Sequence, residues 1–490
     1  MGCPSSADRY PRRSVARGSR HMSAAIADEH PAVATASRKI YRRIIVLFAL
    51  MMMLNQIDRS NIGFVQEDLD AHFGIGAAAY GLGAGLFFVG YFLFEVPSNA
   101  LMQKVGAKLW ITRICVTWGA VSAAMIFVRG ETSFYILRFL LGVAEAGFVP
   151  AVLFYIASWL PNRYQGRATG TWAVGALFAY SAGSLVSGPL LSLHGFLGLD
   201  GWQWLFLIEG LVTVGLGIVG YFLLDSRISE AKWLTEEERT QLSLQIAAER
   251  TSDAEQGSTM QTIKKLLRSP VIHLFMWIYF AVQMSIYSTT FWLPSVVRDI
   301  GVSSDNMVGL FSALPWLCTI PYLYFVSRRG DRHPEQRSTL MTTSFVLAAA
   351  GTLAAALTGS WLGLVFIILA TLGFKTVAPV FWPLLRERTD PLTAATAIAL
   401  VNSVANLGGF VAPYGFGLVK DSTGSTSLAM LGLGVIIAIA AGATLLVRRI
   451  PRRPVADQSA IDRTDLDQVG LQTPQAMTSA GLDGPTSDPR

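Results

Sequence analysis

Residues 44–65, IIVLFALMMMLNQIDRSNIGFV, decide the fold of this chain. The stretch is apolar and long enough to cross the hydrocarbon core of a bilayer as a helix, which takes about 20 residues. It nevertheless contains two adjacent charged residues, Asp58 and Arg59. A charge near the bilayer centre costs at least about 2.5 kcal/mol, so membrane proteins keep one there mainly where it faces a bundle interior or a wet cavity. The stretch therefore predicts a spanning helix that borders a path for an ion or a solute.

The composition extends this interpretation to the whole chain. Of the 490 residues, 52% are hydrophobic and only 15% are charged, and the mean hydropathy is +0.44. This balance is typical of a membrane protein with many spans and excludes an ordinary soluble domain. The formal net charge is +6, but the basic residues are dispersed over short connections. We therefore expect the lipid bilayer as a partner and no nucleic acid.

Hydropathy predicts an all-α membrane protein with about twelve transmembrane helices, because a spanning backbone must satisfy its own hydrogen bonds. The predicted spans lie near 44–65, 79–101, 109–128, 132–157, 167–191, 203–224, 271–293, 306–327, 339–357, 361–383, 396–419 and 427–447.

Basic residues concentrate at alternate connections, and such connections face the cytoplasm. Both termini are therefore predicted to be cytoplasmic. The charged run 386–390 is interpreted as a cytoplasmic loop after the tenth span. The basic residues that set the orientation are Arg38, Lys39, Arg42, Arg43, Lys104, Lys108, Arg163, Arg167, Arg328, Arg329, Arg332, Arg337, Arg448, Arg449, Arg452 and Arg453.

A polar linker divides the spans into six and six. Thr235 followed by Glu238 reads as a capping box, which predicts a surface helix in this linker. Two six-helix halves of this kind can open alternately to either side of the membrane. The predicted segments are a disordered N-terminal segment 1–40 with Met22 as a candidate start, a first bundle 41–224, a cytoplasmic linker 225–269, a second bundle 270–449 and a disordered tail 450–490.

The sequence offers little that suggests an enzyme. Cys3, Cys115 and Cys318 have no paired spacing, which argues against a disulfide framework and a metal site. The phosphate-binding pattern Gly-x-x-x-x-Gly-Lys-[Ser/Thr] is absent. We therefore expect no catalytic activity, no cofactor and no metal.

Five motifs occur in order along the chain, in the first, second, fourth, sixth and eleventh spans. Together they resemble the major facilitator superfamily and, within it, the anion:cation symporter family of bacterial permeases for tartrate, phthalate, sugar acids and hydroxyphenylacetate. The motifs are NQIDRSNIG at 55–63, GYFLFEVPSN at 90–99, RFLLGVAEAGF at 138–148, GWQWLFLIEG at 201–210 and NSVANLGGF at 402–410.

This resemblance implies a multi-pass transporter of the bacterial plasma membrane. Its expected activity is import of an organic carboxylate, such as tartrate, a sugar acid or an aromatic acid, by proton symport and alternating access. Its partners would be a small organic anion and protons, and we expect a monomer. The resemblance also implies Asp58 and Glu145 as the proton-coupling residues. The alternatives are an exporter or antiporter of organic acids or drugs, and a transporter-like membrane sensor.

Arg138 and Glu145 lie two helical turns apart in the fourth span, so they project from nearly the same face. One could hold an anion while the other holds a proton. The alternative is a static ion pair that only tightens the bundle.

Arg59 is the first choice for anchoring the substrate, because a guanidinium matches a carboxylate with two parallel hydrogen bonds. The alternative is that it neutralises its neighbour Asp58, although adjacent residues of a helix point about 100° apart.

Lys375 lies deep in the tenth span and is a candidate specificity residue that would supply a second positive charge. The alternatives are a lysine that snorkels towards a polar end or pairs with Glu209. Further candidates for substrate contact are polar side chains within the spans, of which the resemblance favours Tyr287 and Asn406. The set is Tyr91, Tyr180, Tyr287, Asn402 and Asn406.

Overall fold

The computed structural model describes residues 30–253, 260–358, 361–390 and 393–451. In these residues it contains twelve helices that are long and apolar enough to cross a membrane, as the hydropathy predicted. They are α1 Pro31–Phe64, α2 Ala77–Val105, α3 Ala107–Phe127, α4 Glu131–Trp159, α5 Asn162–Leu191, α6 Gly201–Leu223, α7 Pro270–Asp299, α8 Asp305–Arg332, α9 Pro334–Thr358, α10 Trp361–Arg388, α11 Thr396–Thr423 and α12 Thr426–Val447.

Helix α1 begins earlier than its apolar core predicts. Pro31 occupies the first helical turn, where its missing N–H costs no hydrogen bond. Disorder predicted for 1–40 is therefore wrong for Pro31–Ile40, which are helical. Residues 1–29 and 452–490, which include Cys3, Met22 and most of the predicted disordered tail, lie outside the described residues.

Helix α10 ends later than predicted. It continues through Arg388, so most of the charged run interpreted as a loop is helical. The charges are accommodated because Arg337 of α9 donates to Glu387 at 2.5 Å, and Arg388 donates to the Val447 carbonyl of α12 at 3.3 Å. These tertiary partners have no signal in the local sequence.

The linker helix Glu236–Asp253 confirms the capping box. The Glu238 amide donates to the Thr235 hydroxyl at 3.2 Å, and the Glu238 carboxylate accepts from the Thr235 amide at 2.8 Å. Lys39 of α1 also donates to Glu238 at 2.8 Å. Burial opposes ionisation of Glu238, but the hydrogen bonds from Lys39 and Thr235 outweigh it and lower the pKa of this carboxyl. The linker is thus fastened to the beginning of α1.

The two halves meet along a seam formed by α1 with α7, α2 with α11, and α5 with α8. Close approach there depends on glycine. A Cβ on Gly63 would lie 2.7 Å from the Thr290 carbonyl oxygen, and a Cβ on Gly188 would lie 2.7 Å from the Asp305 carbonyl oxygen. Arg298 fastens the same end of the seam, since it contacts Asp305 at 2.5 Å and Glu67 at 3.5 Å. The halves are therefore closed at one membrane face.

Gly63→Ala is expected to loosen this seam, because the added methyl group meets backbone that cannot rotate away. The measurement is the rate at which a maleimide modifies Ser295→Cys, which replaces a seam residue that is 2% exposed. We expect the rate to rise several-fold in Gly63→Ala. Gly215→Ala in α6 is the matched control, because its Cβ meets no atom within 4 Å. Equal rates in both variants would show that Gly63 does not hold the seam closed.

Candidate functional site

A cavity of about 450 Å³ lies between the two halves. Its walls come from α1, α5, α7, α8 and α10, and they include residues near the beginning of α7 and the end of α10. The seam instead involves the end of α7, which meets α1, and the beginning of α8, which meets the end of α5. The cavity is therefore reached from the opposite membrane face. Its polar and aromatic lining consists of Gln56, Tyr180, Tyr279, Gln283, Tyr287, Lys375 and Trp382.

Arg59 and Glu145 form an ion pair beside this cavity. The Arg59 Nε donates to the Glu145 Oε1 at 2.6 Å, and a second guanidinium nitrogen contacts the same oxygen. The Arg59 side chain is 12% exposed whereas Glu145 is completely buried. The guanidinium also lies 5.1 Å from the ring centroids of Phe87 and Tyr91. Arg59 is thus the more exposed member of the pair, and Tyr287 of the cavity lining lies against it.

This arrangement corrects two alternatives from the sequence. Glu145 pairs with Arg59 of α1 and not with Arg138 of its own helix. Arg59 in turn does not neutralise Asp58, its neighbour in the chain. The spacing of seven residues correctly placed Arg138 and Glu145 in one buried region, but the partner came from another helix.

Asp58 lies in a second buried polar cluster behind the pair. Its carboxylate accepts hydrogen bonds from the Ser122 hydroxyl and, at 3.4 Å, from the Asn61 amide. Asn61 also donates to Glu209 at 2.7 Å. Arg138 is completely buried and close enough to Asp58 to interact electrostatically. Asp58, Arg138 and Glu209 are therefore linked within the first half of the chain.

A break in α4 positions Glu145. The first part of the helix ends at Glu145, because Gly147 adopts a left-handed conformation with φ +89°. The Ser98 hydroxyl donates to the Ala146 carbonyl at 2.6 Å. This bond helps to satisfy backbone that would otherwise be unpaired inside the membrane. The break gives Glu145 a fixed place at mid-helix.

Helix α10 breaks in the corresponding place, immediately after Lys375. Its first part is Trp361–Lys375, and the second part begins at Ala378 with Pro379 in its first turn. The break frees the Leu372 carbonyl, which accepts a hydrogen bond from the Thr376 hydroxyl at 2.8 Å. Lys375 therefore stands at the carboxyl end of a half-helix, where the helix dipole favours a positive charge.

The Lys375 ammonium faces the cavity and rests on two aromatic rings. Its Nζ lies 4.2 Å from the centroid of Tyr180 and 5.2 Å from that of Trp316. The two rings stack with centroids 4.5 Å apart. Lys375 does not pair with Glu209, whose carboxylate accepts from Asn61.

The other predicted contacts divide into two groups. Tyr180 and Tyr287 line the cavity, and Tyr91 lies beneath Arg59. Asn406 lies behind the lining, where it accepts a hydrogen bond at 3.0 Å from the lining residue Gln283. Asn402 is exposed and does not belong to this lining, so the structure does not bring it to the other candidates.

Sequence reasoning missed several residues of the site, among them Tyr279, Gln283 and Trp382 of the lining. Gln56 donates to the Tyr180 hydroxyl at 2.8 Å, Ser122 holds Asp58, and Trp316 supports Lys375. Gln56 had a usable signal, because it is a polar residue one turn before Arg59 in an apolar span. Ser122 and Trp316 are ordinary residues of spanning helices and gave none. Within the described residues, no group of three His, Cys, Asp or Glu residues is placed to hold a metal ion.

Comparisons with known proteins agree with this architecture. The family model of the Major Facilitator Superfamily matches residues 48–413 and 304–469. An Agrobacterium vitis protein named "Putative tartrate transporter" is 38% identical over 424 residues, covering 86% of this chain and 93% of that protein. An Acinetobacter baumannii protein named "Quinolone resistance transporter" is 39% identical over 406 residues, covering 82% and 92%.

A solved structure has a similar fold. It is a bacterial homologue of the human lysosomal transporter Spinster, in an inward-facing and unoccupied conformation. The TM-score is 0.72 at 15% sequence identity, and the match covers 88% of this chain and all of that one.

The ion pair of Arg59 with Glu145 is expected to affect the thermal stability of the protein. Replacing either residue alone, by Arg59→Met or Glu145→Leu, leaves its partner as an uncompensated buried charge, which costs roughly 3 kcal/mol. We expect each single variant to lower the thermal midpoint in detergent. The double variant should recover most of that loss, because it leaves no charge behind. Glu131→Gln, at an exposed acid of α4, is the control. Losses that simply add in the double variant would show that the two charges are not coupled.

Proposed function

The chain belongs to the major facilitator superfamily, and from this premise we propose that it imports an organic carboxylate together with protons by alternating access. The observation that carries the proposal is the Arg59 and Glu145 pair, which lies against Tyr287 of the central cavity. A partly exposed guanidinium is suited to an anionic substrate. The tartrate name of the Agrobacterium vitis relative supports a carboxylate as that anion.

The coupling follows from competition for one guanidinium. While Glu145 is ionised, it occupies Arg59. Protonation of Glu145 removes that counter-ion, and Arg59 can then form charge-assisted hydrogen bonds with a substrate carboxylate. Substrate and proton therefore bind together, because either one alone leaves a buried charge without compensation. This is the physical requirement for symport.

Asp58 is proposed as a second proton-coupling residue. Its carboxylate lies near Arg138 and accepts a hydrogen bond from the Asn61 amide. Arg138 also lies over the Phe87 ring, on which Arg59 rests. A change of charge at Asp58 can thus shift Arg138, and through the Phe87 ring it can also affect the position of Arg59.

The other proposed substrate contacts come from residues in or next to the cavity lining. Tyr91 and Tyr287 flank Arg59 and would orient the carboxylate and neighbouring hydroxyl groups. Asn406 would act through Gln283. We propose that the protein functions as a monomer.

The basic residues at alternate connections support cytoplasmic termini and a location in the bacterial plasma membrane. With this orientation the cavity opens to the cytoplasm and the Arg298 seam closes the outer face. The conformation is then the one from which an importer releases its substrate.

Export is the second candidate, and the name of the Acinetobacter baumannii relative is the observation that favours it. The same helices could carry a solute outwards in exchange for protons. Import and export differ in the direction of the proton flux that accompanies the substrate.

Proton flux with substrate is the decisive measurement. Proteoliposomes containing the full chain are challenged with tartrate, sugar acids and aromatic carboxylates under an imposed pH gradient, while the external pH is recorded. External alkalinisation with one acid is expected from symport. Acidification would support an antiporter, and silence across the panel by a folded protein would contradict the proposal.

Glu145→Gln is expected to separate transport from the proton gradient. The amide cannot take up a proton, yet it retains an oxygen that can accept from Arg59. Exchange of labelled for unlabelled substrate should persist, whereas accumulation driven by a pH gradient should fall by at least about tenfold. Arg59→Ala is the contrasting variant, because it should abolish both exchange and binding. Normal proton-driven accumulation by Glu145→Gln would exclude Glu145 as the coupling residue.

A further inference from the structure

Lys375 is the one charged side chain in the lining of the central cavity, among the residues that the structure describes. Within the same residues, no carboxylate forms an ion pair with its ammonium group. Its neighbours are the ring faces of Tyr180 and Trp316. Ring faces attract an ammonium group, but they carry no net charge and cannot neutralise it. An anion in the cavity would therefore be the counter-ion of a charged Lys375.

The position of Lys375 is fixed from both halves of the protein. Lys375 and Trp316 belong to the second half, whereas Tyr180 belongs to the first and is held by a hydrogen bond from Gln56 at 2.8 Å. The side chain is half-buried. Its ammonium group is held over these two rings beside the cavity.

The two cations of the site lie on opposite halves. Arg59 belongs to α1 of the first half and Lys375 to α10 of the second. Tyr287 connects the two regions, because it lines the cavity and also lies against Arg59. A solute in the cavity can therefore contact both cations only by bridging the halves.

We infer that the substrate is a dicarboxylate whose first carboxylate binds Arg59 and whose second carboxylate binds Lys375. This inference rests on the proposed function and specifies its substrate class. A monocarboxylate would leave Lys375 without a counter-ion when the cavity closes around it. A dicarboxylate neutralises one cation in each half and so draws the halves together. Gln56, Gln283 and Tyr279 also line the cavity and provide partners for hydroxyl groups on the connecting carbons.

The test uses pairs of substrates that differ by a single carboxylate. Suitable pairs are tartrate with threonate, galactarate with galactonate, and phthalate with benzoate. Uptake by proteoliposomes of the full chain gives kcat and KM for each member. The unsubstituted protein is expected to prefer the dicarboxylate of at least one pair by tenfold to a hundredfold, on the order expected for one charge-assisted contact.

Lys375→Gln should remove that preference by raising the KM of the dicarboxylate. The KM of the dicarboxylate is expected to rise at least about tenfold, while that of the monocarboxylate changes by less than about threefold. Lys375→Arg should restore most of the preference, which also shows that the position tolerates substitution. Lys420→Gln is the matched control, because Lys420 also lies over a ring, that of Trp292 at 5.3 Å, but outside the central cavity.

The outcomes separate this inference from the proposed function. Transport of no carboxylate at all would overturn both. Transport of monocarboxylates with the same efficiency as their partners, or an equal effect of Lys375→Gln on both members of a pair, would overturn the dicarboxylate and leave the carboxylate transporter intact. Loss of preference in Lys420→Gln as well would show that the effect is not local to the cavity.

Discussion

The cost of a charge inside a membrane protein governs this structure. Arg59, Glu145, Asp58 and Arg138 all lie in spanning helices, where an uncompensated charge is unfavourable by several kcal/mol. Compensation comes from other helices, as in the pair of Arg59 with Glu145 and the hydrogen bond from Ser122 to Asp58. The helices of the first half are therefore held in place by polar contacts as well as by apolar packing. Any change of protonation or ligand must alter those contacts.

Close packing of the seam has the complementary role. Gly63 and Gly188 allow backbones of the two halves to meet directly, without flexible side chains between them. Contacts of this kind are easily lost when the helices separate, because backbone cannot follow a retreating surface as a long side chain can. Opening of this seam, which the proposed function requires, would have to separate these backbones. A cavity on the opposite face is the geometric consequence of the closed form.

The sequence predicted the parts of the structure that depend on local pattern. Twelve spans follow from hydropathy, and the linker helix follows from Thr235 and Glu238. The superfamily was also identified correctly from its motifs. Predictions were wrong where contacts with other helices determine the structure. Examples are the end of α10, which extends through Arg388, and the ion-pair partner of Glu145. The rings under Lys375 come from α5 and α8, so only the folded chain brings them together.

The paired breaks of α4 and α10 suggest why the two halves are not chemically equivalent. Each break follows a charged residue at the carboxyl end of a half-helix, Glu145 in the first half and Lys375 in the second. The dipole of a helix places partial negative charge at that end, which favours Lys375 and disfavours an ionised Glu145. Glu145 is compensated by Arg59, whereas Lys375 has no ion-pair partner among the described residues. In the proposed function, a carboxylate that engages Arg59 takes this compensation away from Glu145, which is why the two binding events are proposed to be coupled.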